Sequence, residues 1–172
     1  MNAKNLLLWA SLAFAMPMTA QTPQEDFKRD ITLSGSNYVA YRGPQKQLTP
    51  APKGYKPFYL SHYGRHGSRF MIGNKAYDVP YFSLLKAKQE GKLTAKGEET
   101  LAKVKMIREE AKGRDGELTP LGALQHQGIT KRMMERFPEI FAGNTNIEAR
   151  STLVIRCILS MENGLQQMLR MN

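Results

Sequence analysis

Two short apolar runs bracket a long helical stretch, and that spacing constrains the fold more than any single residue does. Residues 58–63 (FYLSHY) are aromatic-rich and bounded by Pro57 and Gly64, which predicts a buried strand. Residues 146–150 predict a second short strand, and a third falls near 37–41. Three helical patterns lie between the first two. Residues 79–90 are halted by Gly91, and residues 98–112 carry Leu101, Val104, Ile107 and Ala111 before Gly113 halts them. The third pattern opens with Thr119 as N-cap and Pro120 at the first helical position. Its stripe of Leu121, Leu124, Ile129, Met133 and Phe137 stops before Pro138. After residue 150, Ser151 or Thr152 caps a last helix through Arg156 to about Arg170, with Val154, Ile158, Met161, Leu165 and Met168 along one face. Parallel strands need crossovers of a dozen or more residues, so this order predicts an α/β domain with a largely parallel sheet flanked by helices. So few strands leave open edges beneath the helices, and the domain reads as incomplete.

The first twenty residues stand apart. Lys4 precedes the apolar stretch 6–15 (LLLWASLAFA), and Met18-Thr19-Ala20 follows as a cleavage site, the pattern of a secretory signal. A membrane-spanning helix needs about 20 apolar residues, and Pro17 ends this stretch too early. The expectation is an exported protein, periplasmic or extracellular, either free or held at a membrane. Residues 21–54 are polar and turn-rich and read as an extended lead-in; residues 55–172 hold the domain proper. Cys157 is the only cysteine, which excludes an intrachain disulfide, and with three histidines it also excludes a structural zinc cluster. A net charge of +10 favours anionic partners. Nucleic acid is not among those expected, because no recognition motif is present and the lysines are dispersed over several helices.

Chemistry concentrates in Arg65-His66-Gly67-Ser68-Arg69, a loop at the C-terminal end of the predicted strand 58–63. In open α/β sheets that edge is where ligands bind. Guanidinium forks match phosphate oxygens, and a neutral imidazole between two of them carries a ring lone pair able to attack phosphorus. Gly64 and Gly67 let the backbone approach a ligand closely.

This loop resembles the RHGxR signature of the histidine acid phosphatases, and with Tyr55-Lys56-Pro57-Phe58-Tyr59 it looks most like the inositol polyphosphate phosphatase (phytase) branch. Residues 118–126 (LTPLGALQH) are similar to that family's LTxxGxxQ helix start, and residues 150–156 (RSTLVIR) to its RSTxxxR segment. Ser68-Arg69 after the RHG argues against the phosphoglycerate mutase branch. The resemblance spans residue 55 to the end of the chain. It implies His66 as a nucleophile that becomes a phosphohistidine, with Arg65, Arg69 and Arg156 binding phosphoryl oxygens and Arg150 as a further contact. It implies no metal or organic cofactor.

Family members are longer and take their proton donor from a later His-Asp or His-Ala-Glu motif. None follows Arg156, where Glu162 is the only acid. The sequence therefore reads as the N-terminal part of such a phosphatase. The implied substrate is a small phosphorylated molecule, phytate or its lower phosphates. A general acid phosphatase and a phosphate-binding module without turnover stay open. His126, on the third helix, is expected to serve packing, and His62, in the strand, to be buried and hydrogen-bonded.

Overall fold

The computed structural model describes residues 22–44 and 46–171. The predicted leader, 1–20, lies outside them. The chain divides into two units, Met1–Ala40 and Tyr41–Asn172. In the first, α1 (Pro23–Arg29) is followed by a 3-10 helix, Ile31–Tyr38. Local side-chain bonding explains both, against the expectation of an extended lead-in with a strand near 37–41. The Glu25 carboxylate accepts the Thr22 N–H at 3.1 Å, and Asp30 Oδ1 accepts the Thr32 N–H at 2.9 Å and its hydroxyl at 2.6 Å. Such contacts draw the backbone into turns and away from ladders.

The second unit holds α2 (Lys75–Gln89), α3 (Ala95–Glu110), α4 (Pro120–Arg136), the single turn α5 (Pro138–Phe141) and α6 (Ile155–Met171). Thr119 caps α4 as expected, its hydroxyl accepting the Gly122 N–H at 3.1 Å, and Thr94 caps α3 in the same way through Gly97. α2 and α3 end at Gly91 and Gly113, both at positive φ (67° and 74°), a backbone region that favours glycine. The last helix starts at Ile155, later than a cap at Ser151 or Thr152 would start it. It takes its first turn from the Val154 carbonyl, which accepts from Cys157 at 2.8 Å and Ile158 at 3.2 Å.

The predicted parallel sheet does not form. Among the described residues every regular element is helical, and the one β pairing is an isolated antiparallel bridge, Arg69 with Leu118. Residues 58–63 and 146–150 have no regular secondary structure and no ladder neighbour, and Phe58 is 95% exposed. An aromatic or β-branched run expresses its strand preference only where a neighbouring strand offers hydrogen bonds and a face to pack on. The helix stripes are corrected too: Leu121 and Leu124 are exposed on α4.

The helices pair as α2 with α3 and α4 with α6. α4 and α6 cross through small and polar groups. Thr130 and Gly164 are buried at the crossing, and the Gln127 amide donates to Asn163 Oδ1 at 2.9 Å. The segment after the RHG motif ties the pairs together. Phe70 lies in a small core with Tyr77 of α2 and Ala111 beyond α3, Met71 packs against that core, and the Tyr77 hydroxyl accepts the Met71 N–H at 2.8 Å. The same segment runs antiparallel to 116–119: Phe70 N–H donates to Glu117 O (2.9 Å), Gly116 N–H to Met71 O (3.2 Å) and Thr119 N–H to Ser68 O (2.9 Å).

Candidate functional site

Hydrogen bonds from α4 and α6 and their caps hold the backbone of the RHGSR loop. Ser68 O accepts from both the N–H and the hydroxyl of Thr119, each at 2.9 Å, and Ser68 N–H donates to Gln125 Oε1 at 2.8 Å. Gly67 N–H donates to Ser160 Oγ at 3.1 Å, and that hydroxyl donates to the Arg156 carbonyl at 2.7 Å. The loop is therefore clamped between the first turns of α4 and α6. Glycines make the clamp sterically feasible. A Cβ on Gly67 would lie 2.3 Å from the Gly122 carbonyl oxygen, and one on Gly122 would lie 2.2 Å from Ser68 O. Both are backbone atoms of packed segments, so neither contact has room to relax.

His66 is half-buried, and its Nδ1 lies 2.8 Å from Gly67 O. A carbonyl only accepts, so Nδ1 is the donor in this contact, and in the neutral ring that leaves the lone pair on Nε2. His66 lines a groove of about 810 Å3 along α4, together with His62, Arg65 and Lys46 and with His126, Arg132 and Arg136, which follow one another along that helix. Glu135 is its one carboxylate, and it faces Lys131 at 3.7 Å. All three histidines of the chain line this groove. That corrects one expectation and adds to another. His62 is exposed, not buried in a strand, and His126 lines the groove while its Nε2–H donates to Arg65 O at 3.1 Å. Burial pushes the His126 pKa below 6.5; the Arg65 carbonyl opposes that shift, and the neighbouring His62 and His66 add to it.

Arg69 and Arg156 lie outside the lining of the groove. The Arg69 guanidinium donates to Phe70 O at 2.8 Å, and Arg156 Nη1 packs beside Gly116 and Ile72. Each has a buried Nε with no hydrogen-bond partner. An unsatisfied donor of a charged group costs about 1–3 kcal/mol or more, and an anion would relieve that cost. Arg150 is not brought to the groove; it is exposed and pairs with Glu148.

Sequence reasoning singled out the loop, its arginines and the LTxxGxxQ segment, but gave no role to Gly122 and Gln125 within that segment and missed Ser160, Lys46, Arg132 and Arg136. One signal for the α4 members was available. Positions 119, 122, 126, 129, 132 and 136 follow helical spacing and share a face, and that face meets the loop. No protein-family model matches the chain, and no curated protein matches it.

Proposed function

We propose that the chain is a phosphomonoesterase of the histidine acid phosphatase type, acting on inositol polyphosphates through a phosphohistidine at His66. The observation that carries this reading is the 2.8 Å contact of His66 Nδ1 with Gly67 O: it orients the ring on a clamped backbone, and in the neutral ring with Nδ1 as donor, Nε2 is the atom available to attack phosphorus. In that step the Nε2–P bond forms, the ester P–O bond breaks, and the departing alkoxide takes up a proton. Water then attacks the phosphohistidine, releasing orthophosphate and returning the free imidazole. Charge on the transferring phosphoryl oxygens is the main electrostatic demand of the reaction. Arg65, next to His66 on the groove, and Arg69 and Arg156, each with a buried Nε that has no hydrogen-bond partner, are the cations assigned to meet it. The polyphosphate substrate is supported by the basic lining of the groove, which would attract a polyanion.

The test is phosphate release from inositol hexakisphosphate at mildly acidic pH by the purified chain beside His66→Ala. The reading expects release, reduced by at least about a thousandfold in the variant. Equal release by both proteins would overturn it. Binding of hexakisphosphate with no release from either would leave a polyanion-binding module in its place.

A further inference from the structure

The groove continues well past His66, and the cations at its far end have no role in the chemistry described so far. Arg132 and Arg136 are one turn apart on α4, so both face the same way, and Lys46 lines the groove with them. Along the helix axis Arg132 stands about 9 Å and Arg136 about 15 Å beyond His126, at 1.5 Å per residue. Their partners are neutral oxygens. Arg132 Nη2 donates to the Tyr41 hydroxyl at 3.3 Å, with the guanidinium 5.8 Å from the Tyr41 ring centre, and Arg136 Nη2 donates to Thr49 O at 2.6 Å. These bonds aim the guanidiniums without neutralising them, and a guanidinium has five N–H donors. Among the described residues none of Lys46, Arg132 and Arg136 forms a salt bridge, whereas elsewhere the pattern is the opposite. Lys86, Lys88, Lys92, Lys96, Lys103 and Arg108 all reach carboxylates.

We infer that Lys46, Arg132 and Arg136 form a second anion subsite, which holds another phosphate of a polyphosphorylated substrate while one phosphate lies at His66. The inference rests on the reading of His66 as the phosphoryl acceptor and adds to it the basis of substrate choice. A ligand with a single phosphate reaches only one end of the groove. One with phosphates on opposite sides of a compact ring spans both, and the second contact positions the first phosphate for attack. The groove volume, about 810 Å3, lies in the range of small-molecule sites.

Calorimetric titration of the full chain with inositol hexakisphosphate, at about 0.15 M salt to screen long-range attraction, tests the subsite. Lys46→Gln, which removes an exposed side chain with no hydrogen bond among the described residues, and Arg132→Gln are each expected to weaken binding at least tenfold. Lys105→Gln, which deletes the same charge on α3, is expected to weaken it less than twofold. Equal losses in all three would mean that net charge alone attracts the ligand, and tight binding by both groove variants would place it elsewhere; either result overturns the subsite. Phosphate release by the wild type separates this inference from the one beneath it. If hexakisphosphate binding depends on Lys46 and Arg132 while the wild type releases no phosphate, the subsite stands and the catalytic reading falls.

Discussion

The α2–α3 pair and the clamped loop between α4 and α6 handle positive charge in opposite ways. On α2 and α3 most cations find acids: Lys88 meets Glu98 at 2.7 Å, Lys92 meets Glu90 at 2.7 Å, and Arg108 meets Asp78 at 2.6 Å and stacks on Tyr81 and Phe82. The Asp78 bond raises the Arg108 pKa, and Lys103 and Lys96 lower that of Glu99. Around the loop, the guanidiniums of Arg69, Arg132 and Arg136 donate to neutral oxygens, and Arg69 and Arg156 each leave a buried Nε without a hydrogen-bond partner. Exposed ion pairs contribute little to stability, so the first region is a solvated surface that neutralises itself. The second leaves charge unpaired, the arrangement that the proposed anion binding would use.

Glycine substitutions should separate the two regions most sharply. Gly122→Ala drives a Cβ into the Ser68 carbonyl, and a cost of about 3 kcal/mol or more is expected in chemical denaturation, with loss of activity. Gly97→Ala on α3 meets first the end of the Leu93 side chain, which can move, and helix propensity makes it neutral or stabilising by up to about 1 kcal/mol. Equal costs would mean that the loop is not clamped.

Arginine replacements come next. Arg156→Met should lower kcat/KM by about a hundredfold or more while leaving the melting temperature unchanged or higher, because it removes an unsatisfied donor. Arg108→Met should do the reverse, lowering the melting temperature slightly without changing turnover. A similar stability loss in both would erase the distinction drawn between them.

Acid should act on the loop through His126. Its folded pKa is depressed, so below pH 6.5 the unfolded chain binds the proton first. Stability from the neutral buried imidazole is full above that pH and is lost as the pH falls toward the folded value. His126→Gln should therefore flatten the fall in melting temperature below pH 6.5; an unchanged slope would assign the acid sensitivity to other groups. Salt should have the smallest effect on folding. From about 0.05 to 0.5 M, hexakisphosphate affinity should drop severalfold while the melting temperature barely moves.

Local chemistry was legible in the sequence, and long-range partnership was not. Thr119, Pro120, Gly91 and Gly113 act within a few residues of themselves, so the bounds of α4 and the ends of α2 and α3 could be read directly. Residues 58–63 look like a strand because of their composition, yet a strand exists only through its neighbour, and these residues have none among those described. The site divides in the same way. His66 and its flanking arginines were visible as a cluster of chemistry, whereas Gly122, Gln125 and Ser160 acquire their roles only where α4 and α6 close on the loop. His62 was misread for the same reason as its segment, since a buried strand was assumed around it.

Trapping the covalent intermediate is the most direct test. The purified chain is mixed with p-nitrophenyl phosphate, whose leaving group departs without a proton donor, then quenched in base, digested and weighed by mass spectrometry. The account predicts the added mass of one phosphoryl group on the peptide carrying His66, base-stable, acid-labile and absent from His66→Ala. Turnover with no such adduct, or the adduct on His62 or His126, would contradict it.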